Sequence, residues 1–250
     1  MNIINLDSPT VINHAQLGFT ESVILHGEER HHVDRHDISM LMHEIPIFLF
    51  APQSMPECNR GNSENPATEW LGFYQHKANI MGITAPAIGL CPERIQTLAR
   101  NNDELNYLLT KVIIHEFAHA KMHIHPSAVY QPKDEFYEWM EEPMANYITL
   151  DYFENFERSM QRTPKPMCVN KQATASLQYV RNFIAMQPEN YKLGLDFHKN
   201  RLWYWWIWAN QKEDIQKRTN EKQAWLNYVK SNAGNTEEEK LNRLFEALHE

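Results

Sequence analysis

The chain has 250 residues, 42% hydrophobic and 22% charged, enough for one substantial domain or two small ones with filled cores. A net charge of −8 offers no counter-charge to nucleic acid or an anionic membrane surface, so neither is expected as an obligate partner. No apolar run is long enough to span a bilayer, and Met1–Asp7 lacks the basic and apolar parts of a signal peptide. The three cysteines, Cys58, Cys91 and Cys168, are far apart and read as free thiols of a reducing, cytoplasmic compartment.

In chain order, Ser22–His26 reads as a short strand and Val33–Glu44 as helical, with Val33, Ile38, Leu41 and Met42 at helical spacing. Between them, the polar run with His31, His32 and His36 has no apolar stripe to hold a site rigid and reads as a solvated turn. Ile45–Ala51, Trp70–Tyr74 and Ala87–Cys91 are strand candidates, Pro52–Asn65 a loop and Asn79–Pro86 a turn. Ala87–Cys91, the last strand before the long helix, is the expected sheet edge to which an extended peptide could add. Pro92 opens a short helix or turn.

A long helix is expected from Asn101, with Asn101 or Asn102 as cap and Asp103 and Glu104 at the positive end of its dipole. Leu109, Ile113, Phe117, Ala120 and Ile124 form its apolar stripe. The same helix carries His115-Glu116-Phe117-Ala118-His119. Residues four apart share a helix face, so both imidazoles can reach one ion, and Glu116 is placed to reach a water beside it. Two histidines and a glutamate in so apolar a helix cost free energy unless something satisfies them, and a metal would.

The residues themselves leave the third ligand open. His125 stands at a suitable spacing, but the glycine its sharp turn needs is replaced by Met122. His123 continues the i, i+4 series too far along a straight helix to close on the same ion. A glutamate from the next helix is the alternative, and Glu141, Glu142, Glu138 and Asp134 are all in range. Pro143 bears on the choice: either the helix starts there, putting Glu142 at its cap, or it kinks.

His115-Glu116-x-x-His119 followed by Glu142-x-x-Ala145-Asn146 resembles the gluzincins, and their intracellular ImmA/IrrE-like members in particular. The resemblance covers about residues 70–155. It implies zinc bound by His115, His119 and Glu142, Glu116 as general base, close helix approach at Ala145, and Asn146 orienting a ligand histidine. It also implies an α+β fold: a zincin-like lobe over 1–160 with a small mixed sheet, then an all-helical region over 165–250 packed on or beside it. The aromatic run Trp203–Trp208 reads as a core helix of that region.

The expected activity is hydrolysis of a protein or peptide substrate by a zinc metallopeptidase, with Tyr130, Tyr137, Tyr147 and His123 as candidate oxyanion donors. The competing expectation is a non-catalytic interaction protein whose helical half docks a partner. Zinc-dependent hydrolysis of a non-peptide substrate shares the same site. A regulatory protein partner fits the long helical tail.

Overall fold

The computed structural model describes residues 1–28, 37–54, 70–80, 83–124, 135–162 and 167–200. His31, His32, His36, His125, Tyr130, Asp134, the linker 163–166 and everything from residue 201, including the Trp203–Trp208 run, lie outside them.

Asn13 caps the first helix, α1 (His14–Gly27), through a reciprocal pair in which its side chain accepts from the Gln16 amide and Gln16 accepts from the Asn13 amide. Thr20, Val23, Ile24 and Gly27 form its buried face. The expected strand at Ser22–His26 is therefore helix. Its stripe begins and ends on Thr and Gly, so hydrophobicity alone does not display the period. The second helix, α2, spans Ile38–Glu44 and buries Ile38, Leu41 and Met42.

The sheet has four strands, β1 (Ile3–Asn5), β2 (Ile47–Leu49), β3 (Gly72–Ile80) and β4 (Ile83–Leu90), in the order β1-β2-β4-β3. The first three in that order run parallel, and β3 is antiparallel to β4. The expected turn at Asn79–Pro86 is instead strand on both sides of a hairpin. Pro86 has no N–H to donate, and the ladder skips it. Gln75 pairs with Ala87 and Ala78 with Ala85, so two residues of β3 face one of β4 in a bulge. The edge expected at Ala87–Cys91 is also corrected: β4 is internal, between β2 and β3, and β3 forms the edge beside the long helix.

Cys91 follows β4 and is disulfide-bonded. The expectation of three free thiols does not hold, and the reducing compartment inferred from it loses that support. Among the described residues, no helix is long and apolar enough to cross a membrane.

After the short helix α3 (Pro92–Leu98), the long helix α4 (Asn102–Ile124) runs through the centre. Every residue from Tyr107 to Met122 is buried, beneath β3 and β4 and among α1, α2 and the helices that follow. Those are α5 (Glu135–Arg162), α6 (Met167–Ala185) and α7 (Glu189–Asn200). Leu177, Val180 and Ile184 of α6 and Leu193 and Phe197 of α7 belong to the same core cluster as Ile113 and Phe117 of α4.

Pro143 lies inside α5, which starts at Glu135 and continues to Arg162. Glu142 is thus about two turns into the helix and not at its cap. On the other side of α5, Gly194 lets α7 come close: a Cβ there would lie 2.6 Å from Asn146 Cβ and 2.8 Å from the Pro143 carbonyl oxygen.

Two glycine substitutions test this packing with opposite signs. Gly194→Ala is expected to destabilise the fold by about 1–3 kcal/mol, because two helix backbones must separate. Gly18→Ala in α1, where a Cβ would meet nothing within 4 Å, is expected to be neutral or stabilising by up to about 1 kcal/mol. Urea denaturation of the two variants beside the wild type measures both.

Candidate metal centre

His115 and His119 project from successive turns of α4 toward Glu142 on α5. His115 Nε2 is 3.0 Å from Glu142 Oε2 and 3.2 Å from His119 Nε2, and His119 Nε2 is 3.7 Å from Glu142 Oε1. The three side chains form a group within range to hold a metal ion. The separations suit one: ligand atoms about 2.0–2.1 Å from a tetrahedral zinc stand about 3.3 Å from one another. Both histidines are buried, and Ala145, one turn after Glu142, is fully enclosed where the helices meet.

Glu141, the neighbour of Glu142, has a different task. Its Oε1 lies 3.0 Å from His119 Nδ1 and 2.9 Å from His123 Nε2. Contact with the Nδ1 side leaves His119 Nε2 directed at the cluster, as an outer carboxylate does for a metal-binding imidazole. His123 is off the triad. Its ring packs between Tyr74 and His76 of β3, at centroid distances of 5.2 and 5.7 Å.

Asn146 does not take the place expected for it. Its amide donates to Gln187 Oε1 and to the Tyr191 carbonyl oxygen, both at 3.1 Å, and so ties α5 to the start of α7 instead of orienting a histidine.

Glu116 is buried, one position round from His115. The start of β3 passes directly over it, since a Cβ on Gly72 would lie 3.1 Å from Glu116 Oε1 and 2.8 Å from Val112 Cγ1. These groups open on a cavity of about 350 Å³. One wall is Trp70–Tyr74 and another is the α4 face from Lys111 to His119. Phe183, Gln187, Pro188 and Tyr191 close the far side.

The environment separates the titrating groups. Burial, reinforced by the Lys111 charge, lowers His115 to about 3, so it is the neutral imidazole a metal requires. Burial raises Glu116 to about 7. Burial also opposes a charge on His119, but the Glu142 carboxylate and the hydrogen bonds that Glu141 and Glu142 accept from it outweigh that and hold the imidazole well above its ordinary value. The same pairing holds Glu142 well below the carboxylate range, against the effect of its own burial. Burial, then the Glu142 and Glu116 charges, push the Tyr191 phenol far up, so it stays protonated.

Of the expected oxyanion donors, Tyr147 is buried with its ring against His198 and does not line the cavity, and His123 is engaged by Glu141. The Tyr137 and Glu138 side chains are not described. Reading motif residues alone overlooks Lys111 and Tyr191. Extending the His115–His119 face back one turn finds Lys111, while nothing local marks Tyr191. Comparison with protein-family models, curated proteins and solved structures returns no match.

Glu141→Gln is expected to weaken metal affinity about 10–100-fold, the usual cost of losing an outer carboxylate on a ligand histidine. Asn146→Ala is expected to lower stability and leave that affinity near the wild-type value. Competition against a chromophoric chelator distinguishes the two, and a larger affinity loss in Asn146→Ala would reverse the assignment.

Proposed function

We propose that the chain is a zinc-dependent metallopeptidase of gluzincin type that hydrolyses peptide bonds. The observation that supports this most is the position of Glu116: a buried carboxylate that is not part of the ligand group, yet faces the same cavity as His115, His119 and Glu142. A protein that only held a metal for structure would have no use for it. The glutamate on the following helix adds the ligand arrangement that the ImmA/IrrE-like resemblance implies.

His115, His119 and Glu142 would hold the ion through two nitrogens and a carboxylate, a donor set suited to zinc. When bound, zinc supplies Lewis acidity toward a substrate carbonyl and acidifies water to near neutrality. Glu116 accepts the proton of the attacking water and returns it to the leaving amine, a role that a carboxylate raised toward neutrality performs well. Tyr191, protonated and on the cavity wall, donates to the oxygen that gains charge as the carbonyl becomes tetrahedral. The outer edge of β3 runs past Glu116 and offers an extended peptide backbone a strand to pair with.

Metal analysis beside peptide cleavage tests the assignment. The wild type is expected to hold about one zinc per chain, and His115→Ala and Glu142→Ala to lose it. Glu116→Gln should retain it while cleavage of a mixed peptide pool falls about 10²–10⁴-fold. Full zinc in Glu142→Ala would remove the ligand assignment. Equal cleavage by Glu116→Gln would remove the peptidase and favour the binding-protein reading.

A further inference from the structure

The hydrolytic chemistry leaves one charged group of the cavity without a task. Lys111 stands one turn before His115 on the same face of α4 and is 4% exposed. Lysines are almost never buried unless paired. Among the described residues, the Lys111 ammonium has no hydrogen bond and no close ion pair, and its neighbour is the Phe183 ring, 5.8 Å to the centroid. Glu116 and Glu142 are the carboxylates whose charge reaches it. A divalent ion among the histidines and Glu142 would draw on that same carboxylate and leave the ammonium short of counter-charge.

A second donor faces the same space. Gln187 lines the cavity one turn beyond Phe183, and its Oε1 is taken by the Asn146 amide at 3.1 Å. That bond fixes the orientation of the side chain and leaves both Nε2 hydrogens for a ligand. An ammonium and an amide N–H₂ that line one cavity form a donor set for a carboxylate.

We infer that Lys111, with Gln187, forms a carboxylate-binding subsite next to the scissile bond, which selects substrates carrying an acidic side chain or a free C-terminus at that position. This rests on the metallopeptidase reading and adds its substrate class.

Hydroxamates provide a test that does not depend on turnover. A hydroxamate seeks the zinc, and a series with its carboxylate on methylene spacers of graded length probes Lys111 on the same cavity wall. Each compound is paired with its neutral primary-amide analogue, and binding to the zinc-loaded protein is measured by calorimetry. The wild type is expected to prefer at least one carboxylate over its amide by about tenfold or more. Lys111→Met is expected to bring the two affinities level. Equal affinities in the wild type, a comparison that needs no variant to fold, would overturn the subsite. So would a preference that survives in Lys111→Met.

Zinc content and Glu116-dependent cleavage would stand through either failure. Their absence would instead remove the metallopeptidase reading and the subsite with it. Peptides with free or amidated C-termini separate the two sources of the carboxylate. A preference lost on amidation assigns it to the chain end, and one retained assigns it to an Asp or Glu side chain.

Discussion

Where α4 meets α5, two buried imidazoles and a half-buried carboxylate meet at the cavity wall. Sixteen consecutive residues of α4 are buried, so His115 and His119 cannot turn to solvent for their hydrogen bonds. Glu142 answers them from the opposite helix. Removing either partner would strand polar groups in the interior, which costs several kcal/mol, so the contact fixes the helices in one register. The packing behind α5 serves the same contact. Ala145 is fully buried one turn after Glu142, and Gly194 lets α7 press on α5 at Pro143 and Asn146.

Three glutamates meet around this contact, and their surroundings assign them different work. Glu142 stays ionised because two imidazoles touch it. Burial would raise Glu141, but the hydrogen bonds from His119 and His123 outweigh it and lower the carboxyl to about 2, making it a fixed acceptor. Glu116 has no such partner. Burial dominates, and it is the one carboxylate poised to gain and lose a proton near neutrality. The three carboxyls thus differ through burial and hydrogen bonding, and under the proposed function they would serve as ligand, orienting group and base.

How much of this could be read from the sequence depended on how local each signal was. The α4 helix was plain, because its cap, acidic first turn and apolar stripe all lie within one segment, and the two histidines and Glu116 came with it. Glu142 was one of several acidic candidates until the resemblance chose it, since Pro143 beside it left a helix start open. The uninterrupted course of α5 depends on packing from α4 and α7 that sequence does not display. The β3–β4 hairpin was misread for a related reason. Pro86 looks like a turn residue, but in the sheet its missing N–H is absorbed by a bulge in the partner strand. The β4 edge was misplaced because strand order is a tertiary property: β3 returns antiparallel and takes the edge itself. The misreading of Asn146 has the same origin, because its partners lie more than forty residues away.

The cavity also changes what the second half of the chain means. A boundary near residue 160 divides the sequence into a mixed part and a helical part, yet the site's walls come from both. The β3 edge and α4 form one side, and Phe183 of α6, Gln187 between the two helices and Tyr191 of α7 form the other. Asn146 joins them, because its two hydrogen bonds run from the ligand helix to Gln187 and to the Tyr191 backbone. A shift of α7 against α5 would therefore move the donor proposed for the oxyanion and strain the Asn146 bonds that also hold Gln187, the amide proposed for the substrate carboxylate. Substrate fit and the ligand group are thus coupled in the proposed site, because α7 packs on the helix that carries Glu142 and its Tyr191 hydrogen-bonds that carboxylate.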